Sequence, residues 1–144
     1  MVNTALKLIP PSAPPLEGYR VLARKYRPTK FTQVIGQDFL VETLKRGIEG
    51  GRLGHAFITG IRGTGKTTTA RLIARALNCK EGPTPEPCGV CSSCETINQD
   101  RSIDVIEIDA ASRTSVDDMR EIIEASRYKA ASSRYKIYII DEVH

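Results

Sequence analysis

The sequence predicts an α/β chain in which strands and helices alternate around a parallel sheet. Three stretches carry this reading. The run His55-Ala56-Phe57-Ile58-Thr59 leads into a glycine-rich turn and then a helical pattern. Ile103-Asp104-Val105-Ile106-Glu107-Ile108-Asp109 alternates apolar and acidic residues with the period of a strand. Lys136-Ile137-Tyr138-Ile139-Ile140 is a β-branched run that ends on Asp141-Glu142.

At 144 residues the chain has room for one core. No segment approaches the roughly 20 apolar residues of a membrane helix. The N-terminus lacks the charged-then-apolar layout of a secretory signal, so a cytoplasmic location is expected. The net charge of +4 favours an acidic partner such as nucleic acid only weakly and decides nothing alone.

Taken in order, residues 1–18 hold Pro10, Pro11, Pro14 and Pro15 and read as an extended leader outside the fold. The basic run Arg20-Val21-Leu22-Ala23-Arg24-Lys25-Tyr26-Arg27-Pro28 follows. Charge leaves open whether it is a solvated arm or a segment that meets a nucleotide or DNA. Residues 37–49 place Phe39, Leu40, Leu44, Gly47 and Ile48 at helical spacing, and Gly50-Gly51 ends that helix. The first strand is expected at 55–59. In the helix predicted over 66–77, Ala70, Ile73, Ala74 and Leu77 face the core and Arg71 and Arg75 look outward. Prolines 83, 85 and 87 with Gly82 and Gly89 forbid regular structure between Cys79 and Cys94. Ser115-Val116-Asp117-Asp118 resembles a capped helix start, with Met119, Ile122 and Ile123 as its buried face.

The glycine-rich turn is Gly60-Ile61-Arg62-Gly63-Thr64-Gly65-Lys66-Thr67, which fits G-x-x-x-x-G-K-[ST]. Glycines allow successive N–H groups to converge on a polyphosphate, and the helix that follows adds partial positive charge beneath it. Lys66 would reach the β- and γ-phosphates, and the Thr67 hydroxyl would hold Mg²⁺, with Thr68 at the loop's exit. Asp141, at the tip of a buried strand, is a second candidate for Mg²⁺. Its neighbour Glu142 is the candidate for orienting the attacking water. Hydrolysis, as distinct from binding, rests on Glu142. A non-hydrolysing nucleotide-binding zinc module and another zinc-containing ATPase of DNA repair are the alternatives.

Cys79, Cys88, Cys91 and Cys94 are all the cysteines of the chain. Clustered thiols in a reducing compartment point to metal, and four thiolates suit tetrahedral Zn²⁺ with no open position. Cys-x₂-Cys-x₂-Cys also opens a bacterial iron–sulfur run. That run continues x₃-Cys-Pro, whereas Glu95 follows Cys94 here. Zinc is the favoured reading, with iron–sulfur as its rival. A site of this type supplies roughly 10–16 kcal/mol of apparent metal-binding energy to a loop module, here 79–97.

This combination, together with 21–28, Val34-Ile35-Gly36-Gln37, Ile106-Glu107-Ile108-Asp109-Ala110-Ala111-Ser112-Arg113-Thr114 and Asp141-Glu142-Val143-His144, closely resembles the gamma/tau family of bacterial DNA polymerase III. Those proteins are ATPase motors of the sliding-clamp loader, of AAA+ type. The resemblance covers residues 19–144. It implies a P-loop NTPase three-layer parallel sheet of order 5-1-4-3-2 with a Cys₄ insert. It implies that Leu22, Ala23, Arg24, Arg27, Val34 and Ile35 line the adenine and ribose pocket. Residues 60–67 would hold the phosphates of ATP, and Arg113, Thr114 and Ser115 would face primer–template DNA. The implied partners are the other subunits of a pentameric loader, the sliding clamp and DNA, within the DNA polymerase III holoenzyme. The family's motor domain continues past Asp-Glu-Val-His, so the chain is expected to be an N-terminal fragment. Strand four of the implied sheet would then be missing between strands one and three. With that slot empty, these residues are not expected to fold stably or hydrolyse ATP alone.

Overall fold

The computed structural model describes residues 22, 26–61, 63–110 and 116–141. Helix α1, Asp38–Glu49, forms where the spacing predicts it, and Gly51 takes the left-handed turn beyond it at φ +63°. Leu44 and Ile48 are buried and Leu40 and Val41 pack beside them. Phe39 is 88% exposed, against expectation. Leu40, Leu44 and Ile48 form one i, i+4 row, and Phe39 stands about 100° off it.

Helix α2, Lys66–Asn78, lies against α1. Leu72, Ile73 and Ala76 join Phe31, Leu44 and Ile48 in the core, with Leu53, Ile58 and Leu77 at its margin. Phe31 belongs to a short 3₁₀ turn, Phe31–Gln33, that caps this cluster. The outward placement expected for two arginines on α2 is corrected. Arg75 is only 3% exposed, and the Arg71 side chain is mostly covered. The cysteine loop packs along α2, where the Thr84 N–H donates to the Ala76 carbonyl at 3.0 Å, and its Glu86 pairs with Lys45 of α1 at 3.4 Å. A Cβ at Gly89 would sit 3.6 Å from the Arg75 guanidinium. Within that loop the prolines do exclude regular structure, but only as far as Cys91. Helix α3, Ser92–Asn98, starts there and buries Cys94 and Ile97.

Strands β1, Val105–Asp109, and β2, Ile137–Asp141, pair in parallel, with Val105 opposite Ile137 and Asp109 opposite Asp141. Parallel neighbours need a crossover, and helix α4, Val116–Ser126, supplies it. Of the apolar face expected of α4, Ile122 is half-buried, but Met119 is 39% and Ile123 55% accessible, and no residue of the helix is buried. Two strands give a helix little sheet to lie on. Residues 55–59, expected as the first strand, form no strand, and Phe57 is 85% exposed. A strand persists by laddering, and none of the described residues ladders with this one. The sheet of the described residues therefore has two strands rather than the layered sheet expected. Its one pairing is that of strands three and two in the implied order.

Polar anchors do much of the holding. Asp104, one residue before β1, is 1% exposed. Its carboxylate accepts the N–H groups of Ala131 at 2.6 Å, Ser132 at 2.8 Å and Ser133 at 2.7 Å, and the Ser132 hydroxyl at 3.0 Å. Burial pushes this carboxyl up, but the four donors outweigh it and hold it well below the usual carboxylate range. Removing it leaves three N–H groups without their acceptor. Asp104→Ala should cost about 3 kcal/mol in urea unfolding of the full-length protein. Because the folded-state carboxyl is depressed, its contribution is complete above the unfolded value of about 3.9 and is lost as pH falls below it. The variant should accordingly lose less stability than the parent between neutral pH and pH 3.

Candidate functional site

The glycine-rich turn closes at the N-terminus of α2. Gly63 and Gly65 stand at φ +86° and +85°, where a side chain would be strained, and they turn the chain back on itself. Lys66 Nζ donates to the carbonyls of Gly60 and Ile61, both at 3.0 Å. Thr64 Oγ1 donates to the Ile61 carbonyl at 2.9 Å, and Thr69 closes the first helical turn onto the Gly65 carbonyl. The loop is therefore folded around its own lysine.

From the far side comes Asp141, the last residue of β2. Thr67 Oγ1 donates to Asp141 Oδ2 at 2.5 Å, across 74 residues of sequence. The two candidates for Mg²⁺ thus meet, with a hydroxyl and a carboxylate side by side at the helix start. Oxygen donors of this kind suit a hard cation. An open cavity of about 470 Å³ lies alongside, lined by Arg71, Asp100, Glu107, Asp109 and Asp141. Arg71 spans it, with Nη1 2.5 Å from Asp100 Oδ1 and Nη2 2.6 Å from Glu107 Oε2. This fork fixes α2 to β1.

The remaining predicted contacts divide. Val34 packs on the core margin, Arg27 is half-buried, and Leu22 and Ile35 are exposed. Ile61 is exposed on the loop and Thr68 half-buried beneath it. Ala23, Arg24, Arg62, Arg113, Thr114, Ser115 and Glu142 lie outside the described residues.

The cysteine loop forms a second centre. The four sulfurs of Cys79, Cys88, Cys91 and Cys94 lie within 4.8 Å of one another. Tetrahedral zinc–thiolate bonds of about 2.3 Å require sulfur separations of about 3.8 Å, so the donor set fits. Cys79 and Cys94 are buried, and the Cys88 N–H donates to Cys79 Sγ at 3.4 Å. Burial raises the Cys91 thiol, but the N–H groups of Lys80 and Cys94 and the thiols of Cys94 and Cys88 bring it down to about 6. Burial pushes Cys94 up to about 12; the Gly89 N–H opposes this, while Cys91 and Cys79 reinforce it. Four sulfurs this close cannot all ionise unless a cation offsets them.

Sequence reading missed two polar anchors. Asn78 and Asp104 sit among apolar neighbours, where only a partner distant in sequence explains them. Asn78 Nδ2 donates to the Tyr135 carbonyl at 2.9 Å, and the Tyr135 N–H donates to Asn78 Oδ1 at 2.8 Å.

Fold and site define a phosphate-loop α/β chain with a four-thiol centre. The chain belongs to the family described as DNA polymerase III, delta subunit, whose model matches residues 36–144. It is 51% identical over 127 residues to the DNA polymerase III subunit tau of Salmonella typhimurium, covering 88% of this chain and 20% of that one. It is 50% identical over 127 residues to the DNA polymerase III subunit gamma of Buchnera aphidicola, covering 88% and 34%. A gamma/tau subunit of Mycobacterium bovis is 48% identical over 126 residues, covering 85% and 22%. The chain thus spans a fifth to a third of the length of these relatives. Among the described residues no helix is long and apolar enough to cross a membrane.

The thiol centre is open to a direct test. Metal analysis of the purified full-length protein should return about one zinc per chain. Chelation should expose residues 79–98 to protease before it affects the glycine-rich loop. A brown protein with visible charge-transfer absorption would show iron–sulfur instead.

Proposed function

We propose that the chain is the ATP-binding part of a gamma/tau-type motor subunit, which hydrolyses ATP to drive a bacterial sliding-clamp loader. The meeting of Thr67 with Asp141 beside the lysine-bearing loop is the observation that carries this reading. Relatives named as DNA polymerase III tau and gamma subunits support the replication context.

In this mechanism ATP displaces the Gly60 and Ile61 carbonyls from Lys66, and the ammonium turns to the β- and γ-phosphates. Thr67 and Asp141 would hold Mg²⁺, which supplies charge neutralisation at the phosphate oxygens when bound. Backbone N–H groups of 63–67 and the α2 terminus cradle the phosphates. Glu142 orients the attacking water and accepts its proton. Leu22, Ala23, Arg24, Arg27, Val34 and Ile35 contact the base and ribose, and Arg113, Thr114 and Ser115 approach primer–template DNA. The four-cysteine centre holds structural zinc. The other loader subunits and the sliding clamp are the partners, in the cytoplasm.

Two substitutions in the full-length protein test this. Lys66→Ala should weaken ATP binding by about a hundredfold or more, since its charge-assisted contact with the β- and γ-phosphates is lost. Glu142→Gln should bind ATP like the parent and lose at least about a hundredfold in phosphate release, the scale of a positioned general base. Turnover at the parental rate in the glutamine variant would remove that role from Glu142.

A further inference from the structure

Helix α2 is joined to the β2 segment at both of its ends. At the N-terminal end Thr67 donates to Asp141 at 2.5 Å. At the C-terminal end the Asn78 amide pairs with both backbone groups of Tyr135, at 2.8 and 2.9 Å. From Thr67 to Asn78 a helix spans about 17 Å. From Tyr135 to Asp141 an extended chain spans about 20 Å. Helix, strand and the two contacts thus form a closed ring of nearly matched sides.

We propose that Asn78 is a positioning residue for the divalent-cation site: by fixing the backbone of Tyr135 it sets how far β2 advances, and hence where Asp141 stands relative to Thr67. The inference rests on the nucleotide reading above and adds to it a residue remote from the phosphates. The side chain is suited to the task. Asn78 is 2% exposed, so its amide has no water to exchange with. It uses both a donor and an acceptor on the N–H and carbonyl of one residue, which fixes position along the strand as well as distance from it. A single-residue advance of β2 would move Asp141 by about 3.3 Å, enough to part it from Thr67. The β1 ladder and the Asp104 seat hold β2 against its neighbouring strand. They reach α2, which carries the lysine and the hydroxyl, only through the Arg71 contact with Glu107 of β1, whereas Asn78 joins the helix to the β2 segment directly.

The test separates cation-dependent from cation-independent nucleotide binding. In the full-length protein, a fluorescent ATP analogue is titrated with Mg²⁺ and again in EDTA, and Mn²⁺ affinity is read by electron paramagnetic resonance. Asn78→Ala should keep the EDTA affinity within about twofold and lose about tenfold of the metal-dependent tightening, the scale expected for a group that orients a ligand. Mn²⁺ affinity should fall in parallel. Tyr135→Ala keeps both backbone groups and should match the parent in every titration. If Asn78→Ala does not fold, Asn78→Asp keeps the acceptor for the Tyr135 N–H, and it should lose several-fold of the same tightening. Full metal-dependent tightening in either folded variant overturns the inference. So does an equal loss with and without Mg²⁺, which would indicate a merely structural contact. A parent protein that binds no nucleotide overturns the nucleotide reading itself, and the inference falls with it.

Discussion

Helix α2 is the member on which the rest of the structure depends, and its grip on β2 is the decisive contact. Its first turn closes the glycine-rich loop, its flank builds the core with α1, and its last residue precedes the first cysteine of the thiol centre. A helix with three such duties cannot be placed by apolar packing alone, because packing is non-directional and tolerates sliding. Hydrogen bonds to Asp141 and to the Tyr135 backbone supply the missing direction. The Arg71 fork to Asp100 and Glu107 adds a lateral stay.

The same economy runs through the sheet. Two strands bury little, so the loop ahead of β2 is held by a carboxylate rather than by side-chain packing. Asp104 collects consecutive N–H groups as a bound anion would, inside the protein. Charge-assisted bonds of this kind are directional and shorter than neutral ones, and they suit a segment that must deliver a strand in register. Lys136 adds to this by donating to the Ala125 carbonyl at the end of α4.

Much of this was legible in the sequence, for reasons that differ by feature. The glycine-rich loop and the cysteine run are short-range patterns whose chemistry fixes their spacing, and the structure brings their members together. Helices α1 and α2 and strands β1 and β2 follow from periodicity, which reports faces reliably. Periodicity does not report what covers a face. Met119 and Ile123 lie on a good apolar stripe that two strands cannot cover, and Arg75 lies on a polar stripe that the cysteine loop does cover. Residues 55–59 have strand composition but lack a ladder partner among the described residues. Asn78 and Asp104 were invisible for the complementary reason. Each is one polar residue whose role exists only through backbone groups 27 to 57 positions away.

The lysine held by its own loop has a consequence for the shape of that loop. Two of the ammonium's N–H donors are spent on loop carbonyls, so the side chain ties the start of the loop to the first residue of α2. On the proposed reading a polyphosphate has to take the ammonium from these two carbonyls, and its many charged oxygens suit it to that exchange.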